Sequence, residues 1–111
     1  MSKFQFKPQE SLLLVIDIQE RLHQAMEEAS RSAYIKNSVI LIKTAQAFNM
    51  PIVVSEQYPR GLGFTIPEIK SRLGDATVHE KLAFSCWGEA PIRSSIENSA
   101  RTTVIVIGIE T

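Results

Sequence analysis

The sequence predicts an α/β fold in which a doubly wound parallel sheet is covered by helices on both faces. Three observations predict it. Ser11-Leu-Leu-Leu-Val-Ile-Asp17 and Thr102-Thr-Val-Ile-Val-Ile-Gly108 are apolar runs without polar alternation, as expected of strands buried on both faces. Between them Ile35, Val39, Ile42, Ala45 and Phe48 recur at spacings of three and four, the period of an amphipathic helix. Strand-like and helix-like stretches alternate along the rest of the chain, an order that argues for right-handed crossovers between parallel strands.

The elements follow in order. The first strand runs from Ser11 and closes on the carboxylate of Asp17, and a short helical turn fits Glu20 to Glu27. The principal helix is expected over Ser32 to Phe48, with Ser30 or Ser32 as its N-cap. Asn49-Met50-Pro51 ends it, because the residue before a proline is driven out of helical space. Pro51-Ile-Val-Val-Ser55 is the second strand. The stretch Glu56-Gln-Tyr-Pro-Arg-Gly-Leu-Gly63 holds proline and glycine and reads as an irregular loop. A short helix over Pro67 to Leu73 and a third strand, Ala76-Thr-Val-His-Glu-Lys81, come next. Glu89 to Ala100 fits a last helix with Pro91 tolerated in its first turn, and Thr102 to Gly108 is the fourth strand. No repeat, low-complexity tract or linker divides the chain, so residues 1–111 read as a single domain.

Composition bounds the function. At 111 residues and 12.4 kDa the chain holds one core. Hydrophobic residues at 44% and charged residues at 22% are globular values and exclude a disordered or coiled-coil chain. Lys+Arg and Asp+Glu stand at 12 each, which leaves no basic excess for phosphates, so no nucleic-acid partner is expected. The longest apolar run, Leu12 to Ile16, is too short for a bilayer, and no membrane partner is expected. Met1 to Pro8 has no apolar leader core. One cysteine, Cys86, cannot form an internal disulfide, which points to a reducing, cytoplasmic setting.

In open α/β sheets ligands bind outside the carboxyl ends of the strands. Here those ends carry Asp17 and Gln19, then Ser55-Glu56-Gln57, then Lys81, then Gly108-Ile109-Glu110-Thr111. A carboxylate at the end of an apolar strand is costly without a cation or donors beside it, and Lys81 can supply that cation. Such a pair suits proton transfer and activation of a nucleophile. A structural ion pair, or an Asp capping the following turn, explains the same residues equally well.

Three segments together resemble the isochorismatase-like cysteine hydrolases: Leu-Leu-Leu-Val-Ile-Asp17-Ile-Gln19, Glu80-Lys81-Leu-Ala-Phe84-Ser85, and Val-Ile-Val-Ile-Gly108-Ile109-Glu110-Thr111. Val54-Ser-Glu-Gln-Tyr-Pro-Arg-Gly-Leu-Gly63, followed by Pro67-Glu68, resembles the subgroup of isochorismatase domain-containing proteins. The resemblance runs from Ser11 to Thr111. It implies a Rossmann-like, three-layer sheet of six strands, of which this chain supplies the first four. It also implies an Asp-Lys-Cys triad. Asp17 matches the general base that takes the thiol proton, and Lys81 the lysine that holds the thiolate and lowers its pKa. The thiolate attacks a carbonyl or similar carbon to form a thioester, which water hydrolyses. Ile109 and Glu110 match a non-proline cis peptide whose amide serves as an oxyanion donor. In the family, Gly-Ile-Glu-Thr continues into His-Val-Cys-Val, and that Cys is the nucleophile. This sequence stops at Thr111, so the resemblance makes it an isochorismatase-like domain lacking its C-terminal part. Alone, such a piece is expected to be insoluble or partly unfolded, with an apolar strand face uncovered and an edge unpaired.

The remaining candidates divide between site and scaffold. Gln19 either lines the pocket or hydrogen-bonds its own backbone at a helix start, and Gln57 ends the second strand beside it. Tyr58, Phe84 and Trp87 suit an aromatic wall around a small substrate, or packing in the core. Cys86 reads as a small buried hydrophobe and not as a nucleophile. His79 is expected to be partly buried and His23 to lie on a helix surface. The Asp-x-His of the metal-dependent nicotinamidases is missing from Glu56-Gln-Tyr-Pro, so neither metal nor cofactor is expected. The expected activity is hydrolysis of a C–N amide-type bond in a small-molecule substrate by a homo-oligomer, dimer or tetramer. Replacing Asp17 with Asn is then expected to abolish thiol-dependent turnover with little loss of stability. The alternative is an inactive oligomeric scaffold or regulatory member of the fold. A phosphoreceiver-like domain ranks third, since Ile16 and Ile18 flank Asp17 where a cation site needs acids.

Overall fold

The computed structural model describes residues 6–108. After a 3₁₀ turn at Pro8–Glu10 come β1 (Ser11–Ile16), α1 (Glu20–Gln24), α2 (Glu28–Ala47), β2 (Ile52–Gln57), α3 (Pro59–Leu62), α4 (Pro67–Lys70) and β3 (Val78–Lys81). A second 3₁₀ turn at Cys86–Gly88, α5 (Ala90–Asn98) and β4 (Thr103–Gly108) complete the described chain. All described pairings are parallel and the sheet order is β3-β2-β1-β4. The chain moves outward from β1 through β2 to β3, then returns to the other side of β1. This is the doubly wound arrangement the alternation predicts, with its topological switch between β1 and β4.

β1 is buried along its whole length, and its two faces feed two cores, because successive strand side chains point to opposite sides. Leu13 and Val15 join Ile18, Ile42, Ala45, Met50, Val54, Ile66, Ile69 and Leu73 under α2 and α4. Leu12, Leu14 and Ile16 join Val53, Cys86, Ile92 and Ile96 under α5. Each such aliphatic side chain contributes about 1.5–3 kcal/mol when fully buried.

Several boundaries differ from the sequence expectation. α2 begins at Glu28 instead of Ser32, with Glu27 as an N-cap whose side chain makes no cap bond. Ser30 and Ser32 therefore lie inside the helix and cap nothing. Its first turn is exposed, so no apolar period marks it, and Glu28, Ala29 and Arg31 carry it on helix propensity. β2 continues through Glu56 and Gln57, which pair with Glu80 and Lys81 of β3. Pro59–Leu62 forms one helical turn where an irregular loop is expected, and α4 and β3 are shorter than expected. β4 is not covered on both faces: its burial alternates, leaving Val104 39% and Val106 53% exposed. Among the described residues no helix is long and apolar enough to cross a membrane.

The strand ends place the site. Among non-glycine residues, Asp17, Asn49, Tyr58 and Ala100 have positive φ. Asn49 and Ala100 follow helix C-termini, where left-handed residues commonly stop a helix. Asp17 and Tyr58 instead follow β1 and β2, at the carboxyl edge of the sheet. Such outliers cost about 1–3 kcal/mol each and cluster at functional sites.

Candidate active site

Three adjacent strands contribute to one buried constellation. Asp17, at φ 53, turns the chain off β1, a conformation that Asp tolerates better than most residues. Its N–H donates to the Ser55 carbonyl at 3.1 Å, and its Oδ1 accepts the Ser55 hydroxyl at 2.8 Å. Lys81, at the end of β3, reaches past β2 to place Nζ 3.0 Å from Asp17 Oδ2. Both residues are 1% exposed. The ammonium also donates to Gln57 Oε1 at 2.8 Å and to the Phe84 carbonyl at 2.6 Å, with the Ala83 carbonyl farther off at 3.4 Å. Among the described residues, Oδ2 is met by the ammonium and has no other hydrogen-bond partner. Two charges this deep are tolerable only when paired and hydrogen-bonded, as they are here.

Beyond Asp17 the chain leaves the parallel sheet. Ile18 to Glu20 run antiparallel to Phe64 to Ile66 through a bridge between Gln19 and Thr65. Gln19 is fully buried. Its Nε2 donates to the carbonyls of Gln57 and Gly63 at 2.9 and 2.7 Å, and its Oε1 accepts the Gln57 N–H at 2.6 Å. Its amide stands in for a missing β-strand partner at the end of β2. The Gln19 side chain is thus spent on Gln57 and Gly63 and not on its own backbone: it holds Gln57, which holds Lys81. Gln57 also donates from Nε2 to the Leu82 carbonyl at 3.0 Å.

The aromatic residues are not core. Tyr58, Phe84 and Trp87 are exposed, and they do not form one wall. Tyr58 borders a cleft of about 490 Å³ with Pro59, Arg60, Glu80, Leu82 and Glu89, with Lys81 in its lining. Trp87 borders a second hollow of about 490 Å³, lined by Leu14, Ile16, Ser85, Cys86, Ile96, Val104 and Val106. The Phe84 ring centroid lies 5.8 Å from Lys81 Nζ, within cation–π range. Cys86 is buried in the α5 core as expected, and its Sγ is also 3.5 Å from Ser55 Oγ. His79 is half-buried and paired with Ser95. His23, expected on the surface, is half-buried against the Tyr34 hydroxyl. Among the described residues no group of three or more His, Cys, Asp or Glu side chains could hold a metal ion. Ile109 and Glu110 lie outside the described residues.

Three further polar residues support this edge: Ser55 and Glu56, which the sequence places at a strand end without indicating their partners, and Glu89, which it does not single out. Ser55 bonds Asp17. Glu56, 4% exposed, accepts both the N–H and the hydroxyl of Thr65 at 2.7 Å, tying β2 to the loop before α4. Glu89 Oε1 accepts the N–H groups of Leu82 and Ala83 at 2.9 and 2.8 Å. The Ala83 and Leu82 N–H bonds, with a smaller contribution from Lys81, hold the Glu89 carboxyl below the usual glutamate range. A depressed carboxyl stabilises the fold above its unfolded pKa and loses that contribution as pH falls through the folded one. Protection of the Leu82 and Ala83 amides, their exchange relative to the intrinsic rate at each pH, is accordingly expected to hold through the ordinary glutamate range and to weaken only below it. NMR-detected exchange against pH measures this directly.

Fold, strand-end constellation and motif order converge on one family, and comparison with known proteins decides it: the Isochorismatase domain matches residues 11–111. The chain belongs to the isochorismatase family. Isochorismatase domain-containing protein 2 of Danio rerio is 32% identical over 101 residues, covering 90% of this chain and 49% of that protein. The solved MAR1 ribonuclease of Caenorhabditis elegans superposes with a TM-score of 0.82 at 30% identity, covering 95% of this chain and 53% of the other. A solved protein of Escherichia coli, described as an octameric hydrolase of unknown specificity, shares the fold with a TM-score of 0.81 at 20% identity, covering 97% and 54%. The chain thus spans about half the length of the relatives it matches. Within the family its similarity is to the isochorismatase domain-containing proteins, as the Val54 to Gly63 segment predicts.

Proposed function

We propose that this chain carries the acid–base half of a hydrolase site acting on a C–N amide-type bond of a small molecule. The observation that supports it is the Asp17–Lys81 pair, buried at the carboxyl edge of the sheet beside an open cleft. In this reading residues 1–111 are the N-terminal part of a longer hydrolase domain, and the thiol of an Asp-Lys-Cys triad lies in chain that follows Thr111. The relatives, about twice as long, are consistent with that.

The chemistry then runs as follows. Asp17 takes the thiol proton, and the Lys81 charge favours the thiolate. The thiolate sulfur bonds to the substrate carbonyl carbon, and the carbonyl oxygen takes up negative charge against the Ile109–Glu110 amide. Asp17 returns the proton to the departing nitrogen as the C–N bond breaks, leaving a thioester. Water, deprotonated by Asp17, cleaves the thioester and regenerates the thiol. The assembly is a homo-oligomer, a reading that the octameric description of the E. coli neighbour supports.

A second reading has an observation of its own. The Lys81 donors are all satisfied internally by Asp17, Gln57 and Phe84, as in a purely structural ion pair of an inactive scaffold. One experiment separates them: the full-length protein screened against amides, carbamates, isochorismate and RNA, the last because one neighbour is named a ribonuclease. D17N is expected to lower kcat/KM by about 10²–10⁴-fold, the range for loss of a positioned acid–base group. Turnover retained by a folded D17N variant would remove Asp17 from the mechanism.

A further inference from the structure

We propose that Glu89 is a positioning residue for Lys81, acting through the backbone of residues 82–84; this rests on the reading above that Lys81 serves the reaction. Glu89 occupies the N-cap position of α5, where an acidic side chain would ordinarily accept from the first turn of its own helix. It makes no such bond. Its Oε1 instead reaches back to the N–H groups of Leu82 and Ala83. The same short loop turns its carbonyls the other way: Phe84 O lies 2.6 Å and Ala83 O 3.4 Å from Lys81 Nζ.

The loop is therefore held from two sides, by an anion on its N–H groups and a cation on its carbonyls. Residues 82–84 belong to no strand, so no ladder would hold these peptide groups without Glu89. The Gln57 amide steadies the Leu82 carbonyl but does not touch the Ala83 or Phe84 peptide. Where Phe84 O stands decides which Lys81 N–H remains aimed at Asp17. Without Glu89 the loop relaxes, one ammonium N–H loses its acceptor, and Nζ is free to swing away from Oδ2. Glu89 lines the cleft and is only half-buried, so truncating it opens no cavity in either core.

The test is competitive acylation of Lys81 by acetic anhydride in the full-length protein, read by peptide mass spectrometry, alongside amide exchange at Leu82 and Ala83. In E89A, Lys81 is expected to label about tenfold faster than in the wild type, the factor that loss of one hydrogen bond to a charged group represents. Both amides are expected to exchange faster. E89Q is expected to fall between E89A and the wild type in both readouts, because a neutral Oε1 still accepts the two N–H groups but more weakly than the carboxylate does. Wild-type labelling and exchange in E89A would overturn the proposal. So would equal acceleration in E89A and E89Q, which would assign the effect to charge alone. Should E89A not fold, Glu89→Asp withdraws the same oxygen by one methylene and is judged by the same two readouts. Turnover that survives Lys81→Met would remove Lys81 from the chemistry and leave the labelling result standing, so the two ideas fail separately.

Discussion

Lys81→Met is expected to destabilise the protein by about 3–5 kcal/mol, the cost of breaking a buried ion pair from one side. The reason is geometric. Asp17 is 1% exposed, and among the described residues its Oδ2 has no hydrogen-bond partner beyond the ion pair with the Lys81 ammonium. Without that cation the Ser55 hydroxyl still meets Oδ1, but a second carboxylate oxygen is left in an apolar interior. The same reasoning corrects the sequence expectation for Asp17→Asn, which foresees little loss of stability. Asn keeps the Ser55 bond and tolerates the positive φ, yet it strands a buried ammonium with only the neutral acceptors of Gln57 and Phe84. Both single variants are therefore expected to unfold at lower urea concentration than the wild type. The double variant D17N/K81M removes both charges and is expected to recover stability, with a coupling energy near the top of the about 0.5–3 kcal/mol range for contacting residues. Urea denaturation of the wild type and the three variants, each as the full-length protein, measures this. A coupling near zero would mean that the pair is held by its neutral hydrogen bonds alone.

That correction marks what the sequence carries and what it does not. The two apolar runs and the helical period between them identify the sheet, its parallel order and the edge where the site lies, because burial on both faces leaves a local signature. Asp17 and Lys81 are legible as strand-end residues and as matches to a family. Their depth is not legible, since it depends on which segments cover the edge. Gln19 shows why: its partners Gln57 and Gly63 lie 38 and 44 residues away, and no local pattern couples a glutamine to distant peptide groups. Glu89 is hidden for the opposite reason, since an acid before a helix already has a local explanation as a cap. Val104 and Val106 look like the buried valines of a central strand, and their open face is the uncovered apolar strand face that the sequence foresees for an N-terminal piece of the sheet.

Gly108→Ala is the substitution expected to disturb the fold and the site together. Gly108 ends β4 opposite Ile16 in the parallel ladder with β1. Its φ of 151 lies where L side chains are strained, and a Cβ there would sit 2.1 Å from the Ile16 carbonyl oxygen. The obstacle is backbone, so no rotamer change relieves it: β4 must draw away from β1 at this end. Overpacking costs about 1–3 kcal/mol and the strained backbone about 1–3 kcal/mol more, so a loss of about 2–6 kcal/mol is expected in urea denaturation. Ile16 is followed directly by Asp17, so any retreat at this point displaces the carboxylate relative to Ser55 and Lys81. Thr103→Ala, at the other end of the same ladder opposite Ser11, introduces no Cβ and is the control. If crowding at Ile16 is what matters, G108A lowers both stability and the protection of the Asp17 amide, which donates to Ser55, while the Thr103 variant leaves that amide protected. Equal protection in the two variants would mean that β1 holds Asp17 without help from β4.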